Sequence, residues 1–305
     1  MILDSQIRTV KAGVKVNVNM QLHVTDLNAR IGSIIEVDRE TLLSGKVSGQ
    51  IRDIIVHRGV VAFRDMEVTD TEQLGLARSF GKIAGGKSGD VYRVSYDPVH
   101  NPVGAVINVA SSYWHIDRTD TDIPPFATIL SAKVLSPPGT GDTEFSNTYA
   151  AYEDLPEDDK QLIENIKVEH LMETAFREAA PNATEEQRAL WPRLAPKVHP
   201  LVWRHRDGRK SLIISNSATR IIGMTATEGK ALIARLLAWA TRPEYTYRHS
   251  WRLGDLVMWN NTGTMHRAHY YDPACGRRLH RTAIEGDEPF DFDRVAPAPG
   301  ASLKQ

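Results

Sequence analysis

The residues best suited to chemistry in this sequence are a histidine and an aspartate two positions apart, His115 and Asp117 in the segment WHID at 114–117. Alternate side chains of a β-strand point to the same face, so an imidazole and a carboxylate at this spacing converge if the segment is extended. A second histidine near a strand end, for which His266 is the best candidate, would complete a three-ligand set. Two imidazoles and one carboxylate leave the opposite metal positions open, which is typical of non-haem Fe(II) oxygenases.

An HxD pair by itself is more often a surface histidine beside a solvated aspartate, so the hypothesis depends on the residues around it. His269 lies three residues after His266 and competes with it for the third ligand position. We favour His266 because it follows the predicted strand end at 259–261 and because two arginines lie 11 and 15 residues beyond it.

Those two arginines, Arg277 and Arg281, could bind an anionic co-substrate. They lie four residues apart, so their side chains share a face in either a helix or a strand. A guanidinium pairs with a carboxylate through two parallel hydrogen bonds, and a dicarboxylate that chelates iron at one end needs such a cation at the other. The alternative is a solvent-exposed basic segment, which is the interpretation we favour for Arg278.

The composition argues against several classes of protein. The chain has 305 residues and a net charge of −1 at pH 7, whereas nucleic-acid-binding proteins carry a basic surface. No apolar segment approaches the ~20 residues that span a bilayer, and the first residues do not resemble a signal peptide. The single cysteine, Cys275, excludes an internal disulfide and a cysteine-rich metal site, and it is typical of a cytoplasmic protein.

Short strands with peripheral helices would position the candidate residues. Apolar runs and alternation predict strands at 14–18, 59–63, 127–134 and 255–259, and a hairpin around Asp207-Gly208. Helical periodicity and capping residues predict helices at 48–56, 69–80 and 156–167, and one that begins after Thr225.

This pattern predicts a mainly β fold with peripheral helices around a double-stranded β-helix, the jelly-roll or cupin-like core. We expect residues 1–305 to form a single domain. The segments at about 84–113 and 175–197 are rich in loop-forming residues, and we interpret them as lids, since long loops in compact domains are often functional.

From about Gly59 to Asp287 the chain resembles the taurine/2,4-D dioxygenase family, the TauD/TfdA-like Fe(II)- and 2-oxoglutarate-dependent oxygenases. The resemblance depends on the order and spacing of several short motifs rather than on any one of them. These motifs are WHID at 114–117, Pro124-Pro125, Gly141-Asp142-Thr143, Ala150-Ala151-Tyr152, Gly254-Asp255, Trp259-Asn260-Asn261, His280-Arg281 and Gly286-Asp287.

The resemblance implies an oxidoreductase that uses Fe(II), 2-oxoglutarate and O₂ to oxidise a small molecule. It implies that His115, Asp117 and His266 are the iron ligands and the catalytic centre. Hydroxylation, C–X bond cleavage, desaturation and ring formation all use these ligands and stay open as outcomes. Halogenation is disfavoured, because related halogenases replace the carboxylate at the Asp117 position with a small residue.

The resemblance also implies the co-substrate contacts. Arg277 and the Thr143 hydroxyl would bind the distal carboxylate of 2-oxoglutarate, and Trp259 would pack against the same pocket. A purely structural position in the core is an equally good interpretation for Trp259. Arg281 would face either the anionic group of the substrate or the proximal end of 2-oxoglutarate.

The sequence departs from the taurine enzymes of the family at two places. No histidine follows Phe80-Gly81, and Ser111 stands near the position of a missing substrate-binding asparagine. We therefore expect that taurine is not the substrate. Three tyrosines in the loop from 82 to 113, Tyr92, Tyr96 and Tyr113, favour a larger or aromatic molecule. We assign Ser111 and Tyr113 to the substrate pocket together with Arg281.

Two other classes of protein would use similar residues. One is a metal-dependent hydrolase or isomerase on a cupin-like barrel, and the other is a non-catalytic binding protein for small molecules. We expect a small-molecule substrate, no nucleic-acid or membrane partner, a homo-oligomeric assembly and a cytoplasmic location. Both the catabolism of a small organic compound and the tailoring of a natural product are consistent with these residues.

Overall fold

A large mixed sheet and a smaller sheet that faces it form the centre of the protein. A computed structural model describes residues 22–85, 91–97, 99, 101, 104 and 108–290. In chain order its strands are β1 (His23–Asp26), β2 (Ser33–Glu36), β3 (Val60–Phe63), β4 (Tyr92–Val94), β5 (Ala127–Val134), β6 (Thr143–Asn147), β7 (Lys167–His170), β8 (Lys197–Pro200), β9 (Val202–Arg204), β10 (Lys210–Leu212), β11 (Ala218–Ile221), β12 (Thr246–His249), β13 (Leu256–Asn260), β14 (Thr264–Ala268) and β15 (Arg278–Ile284).

The helices lie outside these sheets. They are α1 (Arg39–Leu43), α2 (Ser48–Arg58), α3 (Asp70–Phe80), α4 (Thr148–Glu153), α5 (Glu157–Ile163), α6 (Met172–Ala179), α7 (Glu185–Ala189) and α8 (Ala226–Ala240), with 3-10 turns at Asn108–Ser112, Pro243–Tyr245 and Pro273–Cys275. In the part of the chain that the structure describes, no helix has the length and apolarity needed to cross a bilayer.

The strand order makes this a two-sheet β fold. The large sheet has the order β1-β2-β3-β13-β5-β15-β4, and its pairs are antiparallel except for β2 with β3. The facing sheet has the order β12-β6-β14, and smaller sheets are formed by β11-β7-β8 and β10-β9. This arrangement confirms the predicted mainly β fold with a jelly-roll core.

Side-chain alternation along β13 explains how both faces of the large sheet are covered. Val257 and Trp259 face the small sheet, where the ring of Trp259 lies 5.5 Å from that of Phe145. Leu256 and Met258 face the opposite way and pack with the apolar residues of α1, α2 and α3. A strand buried on both faces reads as a continuous apolar run, and residues 256–259 have that character.

Most of the predicted local structure is present. The helices α2, α3 and α8 form where the capping residues and periodicity predicted them, and Thr69 and Thr225 each complete a capping box. β9 pairs with β10 across the predicted Asp207-Gly208 turn. The strand predicted at 14–18 lies outside the described residues.

Three predictions need correction, each because long-range pairing overrides a local signal. The helix predicted at 156–167 ends at Ile163, since Lys167 pairs with Pro200 as the first residue of β7. The loop-rich segment predicted at about 84–113 contains β4, which completes the edge of the large sheet beside β15. His266 lies inside β14 rather than in a loop after a strand end, because it pairs with Phe145 of β6.

The two segments interpreted as lids meet each other. Ala110, in the 3-10 turn at Asn108–Ser112, packs with Ala175, Phe176 and Trp191 in a small apolar cluster. The side-chain amide of Asn216 also donates to the Ala110 carbonyl oxygen at 2.8 Å. Part of the first segment lies outside the described residues.

Candidate metal centre and co-substrate site

His115 and His266 are brought together by a backbone bridge. The amide of each residue donates to the carbonyl oxygen of the other, at 3.0 and 2.9 Å, so the two residues form an antiparallel pair. Residues directly opposite each other in such a pair project their side chains from the same face. Their ring centroids accordingly lie 4.2 Å apart.

Asp117 completes a compact cluster with these histidines. Its Oδ1 atom lies 4.0 Å from Nε2 of His115 and 3.9 Å from Nε2 of His266. One candidate ligand atom from each of the three residues lies within 4.8 Å of the others. The competing histidine points elsewhere, since His269 Nε2 lies 3.0 Å from the Glu144 carboxylate.

The second carboxylate oxygen of Asp117 is held by hydrogen bonds. Oδ2 accepts from Nη2 of Arg281 at 2.6 Å and from the Thr128 hydroxyl at 3.1 Å. Burial alone would raise the pKa of Asp117, but the positive charge of Arg281 and the Thr128 hydrogen bond act in the opposite direction, and the pKa falls to about 2. Asp117 is therefore an anion at neutral pH.

The two imidazoles have the opposite preference and stay neutral. Burial lowers the pKa of His115 and lowers that of His266 well below its usual value. Nδ1 of His115 lies 2.8 Å from the Tyr113 carbonyl oxygen, which can only accept, so Nδ1 carries the proton and Nε2 presents a lone pair to the cluster. Two neutral nitrogens and one carboxylate are a donor set that suits Fe(II), so the residues fit this metal.

Arg277 is a buried cation without an anionic partner among the described residues. Only 3% of the residue is exposed, its Nη2 donates to the Gly141 carbonyl oxygen at 2.7 Å, and its guanidinium lies over the Tyr271 ring at 4.5 Å. Burial lowers the pKa of Arg277, but a guanidinium stays protonated in proteins. An unpaired buried charge is costly, so this position favours an anionic ligand.

Gly141 makes the room that Arg277 occupies. Its φ is +69°, and a Cβ atom there would lie 2.3 Å from Ser136 Oγ and 2.9 Å from Arg277 Nε. Backbone conformation and space therefore both require glycine at this position.

We expect Gly141→Ala to displace the Arg277 side chain, to lower the melting temperature and to weaken 2-oxoglutarate binding. Gly139→Ala is the matched control, because Gly139 also has a positive φ, of +80°, but its Cβ would meet nothing within 4 Å. The backbone strain is then common to both variants, at about 1–2 kcal/mol. Calorimetric titration with 2-oxoglutarate should show a defect in the Gly141 variant only, and equal affinities would contradict the steric argument.

Thr143 lies on the same inner face as the histidine cluster. It stands two residues before Phe145 on β6, and Phe145 pairs directly with His266. Its hydroxyl accepts a hydrogen bond from Nε1 of Trp251 at 3.0 Å. An accepting hydroxyl keeps its own hydrogen available, so Thr143 can donate to a carboxylate.

Comparison with known proteins decides the family. The family model "Taurine catabolism dioxygenase TauD, TfdA family" matches residues 23–283. The chain belongs to the TauD/TfdA family of dioxygenases. It is also 35% identical over 273 residues to an alpha-ketoglutarate-dependent 2,4-dichlorophenoxyacetate dioxygenase of Burkholderia sp. (strain RASC), across 82% of this chain and 91% of that protein.

Two further proteins are similar to this chain over most of their length. An alkylsulfatase of Acinetobacter baylyi is 30% identical over 260 residues, across 83% of this chain and 81% of that protein. The crystal structure of AAD-2 in complex with Mn(II) and N-oxalylglycine has a TM-score of 0.76 and 30% identity, across 89% of this chain and 100% of that chain. The predicted class is thereby confirmed: the chain is an Fe(II)- and 2-oxoglutarate-dependent dioxygenase, an oxidoreductase that consumes O₂.

Around the TauD/TfdA centre, the remaining predicted residues fall into two groups. Trp259 is 1% exposed and its ring lies 4.6 Å from that of His266, so it is both a core residue and a wall of the site. The Ser111 hydroxyl donates to the Asn108 carbonyl oxygen within its own turn, and Tyr113 is 44% exposed. The structure shows no hydrogen bond from the side chain of Ser111 or Tyr113 to the cluster among the described residues, and only the backbone carbonyl of Tyr113 contacts it, through His115.

Arg278 and His280 lie between Arg277 and Arg281 in the sequence, but their surroundings differ from those of the two arginines. His280 faces away from Arg281, and its Nδ1 lies 2.5 Å from the Asp70 carboxylate. Arg278 was predicted to be solvent-exposed but is only partly so, and its Nε is buried without a partner among the described residues. Its position on a strand paired with β5 explains the difference.

Sequence reasoning did not assign a role to Thr128, Asn261 or Trp251, all of which make hydrogen bonds around the site. Thr128 left a signal, since it is a polar residue near the start of the apolar run at 127–134. Nothing in the local sequence around Trp251 indicates a contact with a residue 108 positions earlier.

Proposed function

We propose that this enzyme oxidises a small organic anion that carries an aromatic or similarly bulky apolar group. His115, Asp117 and His266 would hold Fe(II), and Arg277 and Thr143 would hold the distal carboxylate of 2-oxoglutarate. The observation that carries the proposal is the convergence of the three candidate ligands within 4.8 Å on the inner face of the sheets.

The bound iron would supply the redox chemistry that couples O₂ and 2-oxoglutarate to oxidation of a substrate C–H bond. The protein's own residues supply the charge, the metal-binding nitrogens and the orientation of the co-substrate. Asp117 contributes the negative charge of the site, and His115 and His266 contribute neutral nitrogens. The buried Arg277 offers 2-oxoglutarate a charge-assisted contact away from water, and the packed sheets fix its orientation.

Arg281 supports an anionic substrate. One of its nitrogens, Nη2, binds Asp117, while no described residue forms a hydrogen bond or ion pair with its Nε or Nη1. Its side chain is 28% exposed, so these donors can reach a ligand that enters from solvent. The alternative that Arg281 serves the proximal end of 2-oxoglutarate is tested by the screen described below.

The aromatic part of the proposal comes from Tyr92, which lies beside Arg281. Tyr92 pairs directly with Arg281 across β4 and β15, so the two side chains share the inner face of the sheet. Tyr92 is 37% exposed, and its hydroxyl donates to the Asn108 side chain at 3.1 Å. Relatives that act on 2,4-dichlorophenoxyacetate and on (S)-phenoxypropionate, both aryloxy carboxylates, point to the same class.

The test is a screen that measures succinate formed above the uncoupled background with Fe(II), 2-oxoglutarate and O₂. Aryloxyacetates, 2-aryloxypropionates, linear alkyl sulfates, taurine and the methyl esters of the aryloxy acids are compared at equal concentration. We expect the aryloxy acids to give the highest rates and their neutral esters to give little. Equal rates for acids and esters would remove Arg281 from substrate binding, and taurine as the best substrate would overturn the proposed class.

We further propose that the chain works as a single domain, that the segments at about 84–113 and 175–197 border the substrate entrance, and that the enzyme is a cytoplasmic homo-oligomer. The packing of Ala110 on α6 and Trp191 supports a shared entrance. The single cysteine supports a reducing compartment. Light scattering during gel filtration measures the assembly, and cell fractionation measures the location.

A further inference from the structure

We propose that a directed chain of hydrogen bonds, from Trp259 through Asn261 and Thr128, positions Asp117 so that only its Oδ1 faces the metal site. The three links are Trp259 Nε1 to Asn261 Oδ1 at 2.9 Å, Asn261 Nδ2 to Thr128 Oγ1 at 2.8 Å, and Thr128 Oγ1 to Asp117 Oδ2 at 3.1 Å. Thr128 and Asn261 are thus positioning residues for a metal ligand. The inference rests on the proposed role of Asp117 in iron binding.

The chemistry of each group sets the direction of this chain. The indole N–H of Trp259 can only donate, so the side-chain oxygen of Asn261 must face it. The amide nitrogen of Asn261 then faces Thr128 and donates to its hydroxyl oxygen. The single hydrogen of the Thr128 hydroxyl is left for Asp117, whose ionised carboxylate can only accept.

These hydrogen bonds are also shielded from water. Trp259 is 1% exposed, and Asn261 and Thr128 are 0% exposed. Trp259 and Thr128 are direct partners across β13 and β5, so the sheet register places both side chains on the inner face. Buried hydrogen bonds with fixed partners are the kind that hold one geometry, because an alternative orientation would leave a buried polar group unpaired.

These hydrogen bonds act on only one of the two carboxylate oxygens of Asp117. Oδ2 receives both the Thr128 hydroxyl and Nη2 of Arg281, whereas Oδ1 receives no hydrogen bond from a described residue and lies 3.9–4.0 Å from the two imidazole Nε2 atoms. Loss of the Thr128 donor would leave Arg281 as the sole hydrogen-bond donor on Oδ2 among the described residues. The carboxylate could then rotate, and metal affinity would fall even though all three ligands are present.

The experiment compares Mn(II) affinity and thermal stability of the metal-free protein in matched variants. Thr128→Val keeps the shape of the side chain and removes the hydroxyl, and Thr128→Ser restores the donor. Thr282→Val is the control, because Thr282 is also buried and accepts a hydrogen bond, from Gln73 at 3.1 Å, but does not contact Asp117. The dissociation constant is measured without oxygen or co-substrate, from the electron paramagnetic resonance signal of free Mn(II).

We expect Thr128→Val to weaken Mn(II) binding by about 10- to 100-fold, the effect typical of a lost outer partner of a metal ligand. Thr128→Ser should recover most of the affinity, and Thr282→Val should bind Mn(II) like the wild type even if its melting temperature falls. Wild-type affinity in Thr128→Val would overturn the inference. Failure of the wild type to bind Mn(II) would instead overturn the proposed metal centre.

A double-mutant cycle tests whether Asn261 acts through Thr128. Asn261→Leu alone should weaken Mn(II) binding, because the Thr128 hydroxyl is then free to turn away from Asp117. In the Thr128→Val background the same change should cost no further affinity, since the link to Asp117 is already absent. Additive losses in the double variant would show that Asn261 acts by another route and would overturn the series arrangement.

Discussion

Replacement of His266 by alanine is expected to lower substrate-dependent succinate formation by at least about a hundredfold, while replacement of His269 leaves it within a few-fold of the wild type. The two histidines lie three residues apart on or just after β14, but only His266 faces His115 and Asp117. His269 is bound to Glu144 instead. Loss of an outer partner of a metal ligand already costs 10- to 100-fold, so loss of a ligand itself should cost more.

This pair of variants is informative because the sequence favours His266 but offers His269 as a competing ligand three residues away. Mn(II) binding should be lost in the His266 variant and kept in the His269 variant, so that activity and metal content change together. Asp117→Ala should behave like His266→Ala in both measurements. Substantial turnover in either variant would remove that residue from the ligand set.

The second large effect is expected from Arg277→Met, which should weaken 2-oxoglutarate binding by about 2–5 kcal/mol, a factor of roughly 30 or more. The buried guanidinium has no carboxylate partner among the described residues, so its position favours the binding of an anionic ligand. The same variant should be as stable as the wild type, or more stable, when 2-oxoglutarate is absent, because an uncompensated buried charge has been removed. A merely structural arginine would show the reverse pattern, with lower stability and unchanged affinity.

Arg278→Met is the matched control for this measurement. It removes an equal charge from the neighbouring position, on the strand pair with β5, and has no contact with Gly141. Addition of 2-oxoglutarate should raise the melting temperature of the wild type and of the Arg278 variant but not that of the Arg277 variant, because a ligand stabilises only the protein that binds it. An equal upward shift in all three proteins would contradict the assignment of Arg277.

The sequence by itself determined the features that depend on local spacing. The capping boxes at Thr69 and Thr225 act within three residues, and the helices α3 and α8 follow them as predicted. The WHID segment identified two of the three cluster residues, because an HxD spacing is a property of one short segment. The structure gives this segment only an isolated bridge at His115 and a turn that begins at Asp117, in place of the extended strand considered from the sequence. The family motifs extended this to the cofactor class, which the comparisons confirm.

Only the tertiary structure decided the features that depend on sheet register. The sequence favoured His266 over His269 from spacing alone, and the pairing of His266 with His115 and with Phe145 supplies the physical reason that spacing could not give. A shift of one residue in a strand turns every side chain to the opposite face, so the sequence could not show which face carries the site.

Long-range contacts set the surroundings of the candidate ligands in the same way. Thr128 and Asn261 are 133 positions apart, and Gly141 and Arg277 are 136 positions apart, yet each pair is joined by a hydrogen bond. Burial of Arg277 without a carboxylate partner among the residues that the structure describes is likewise a property of the packed sheets and not of the segment that contains it. The residue types specify which donors and charges are present, and the folded chain decides which of them meet.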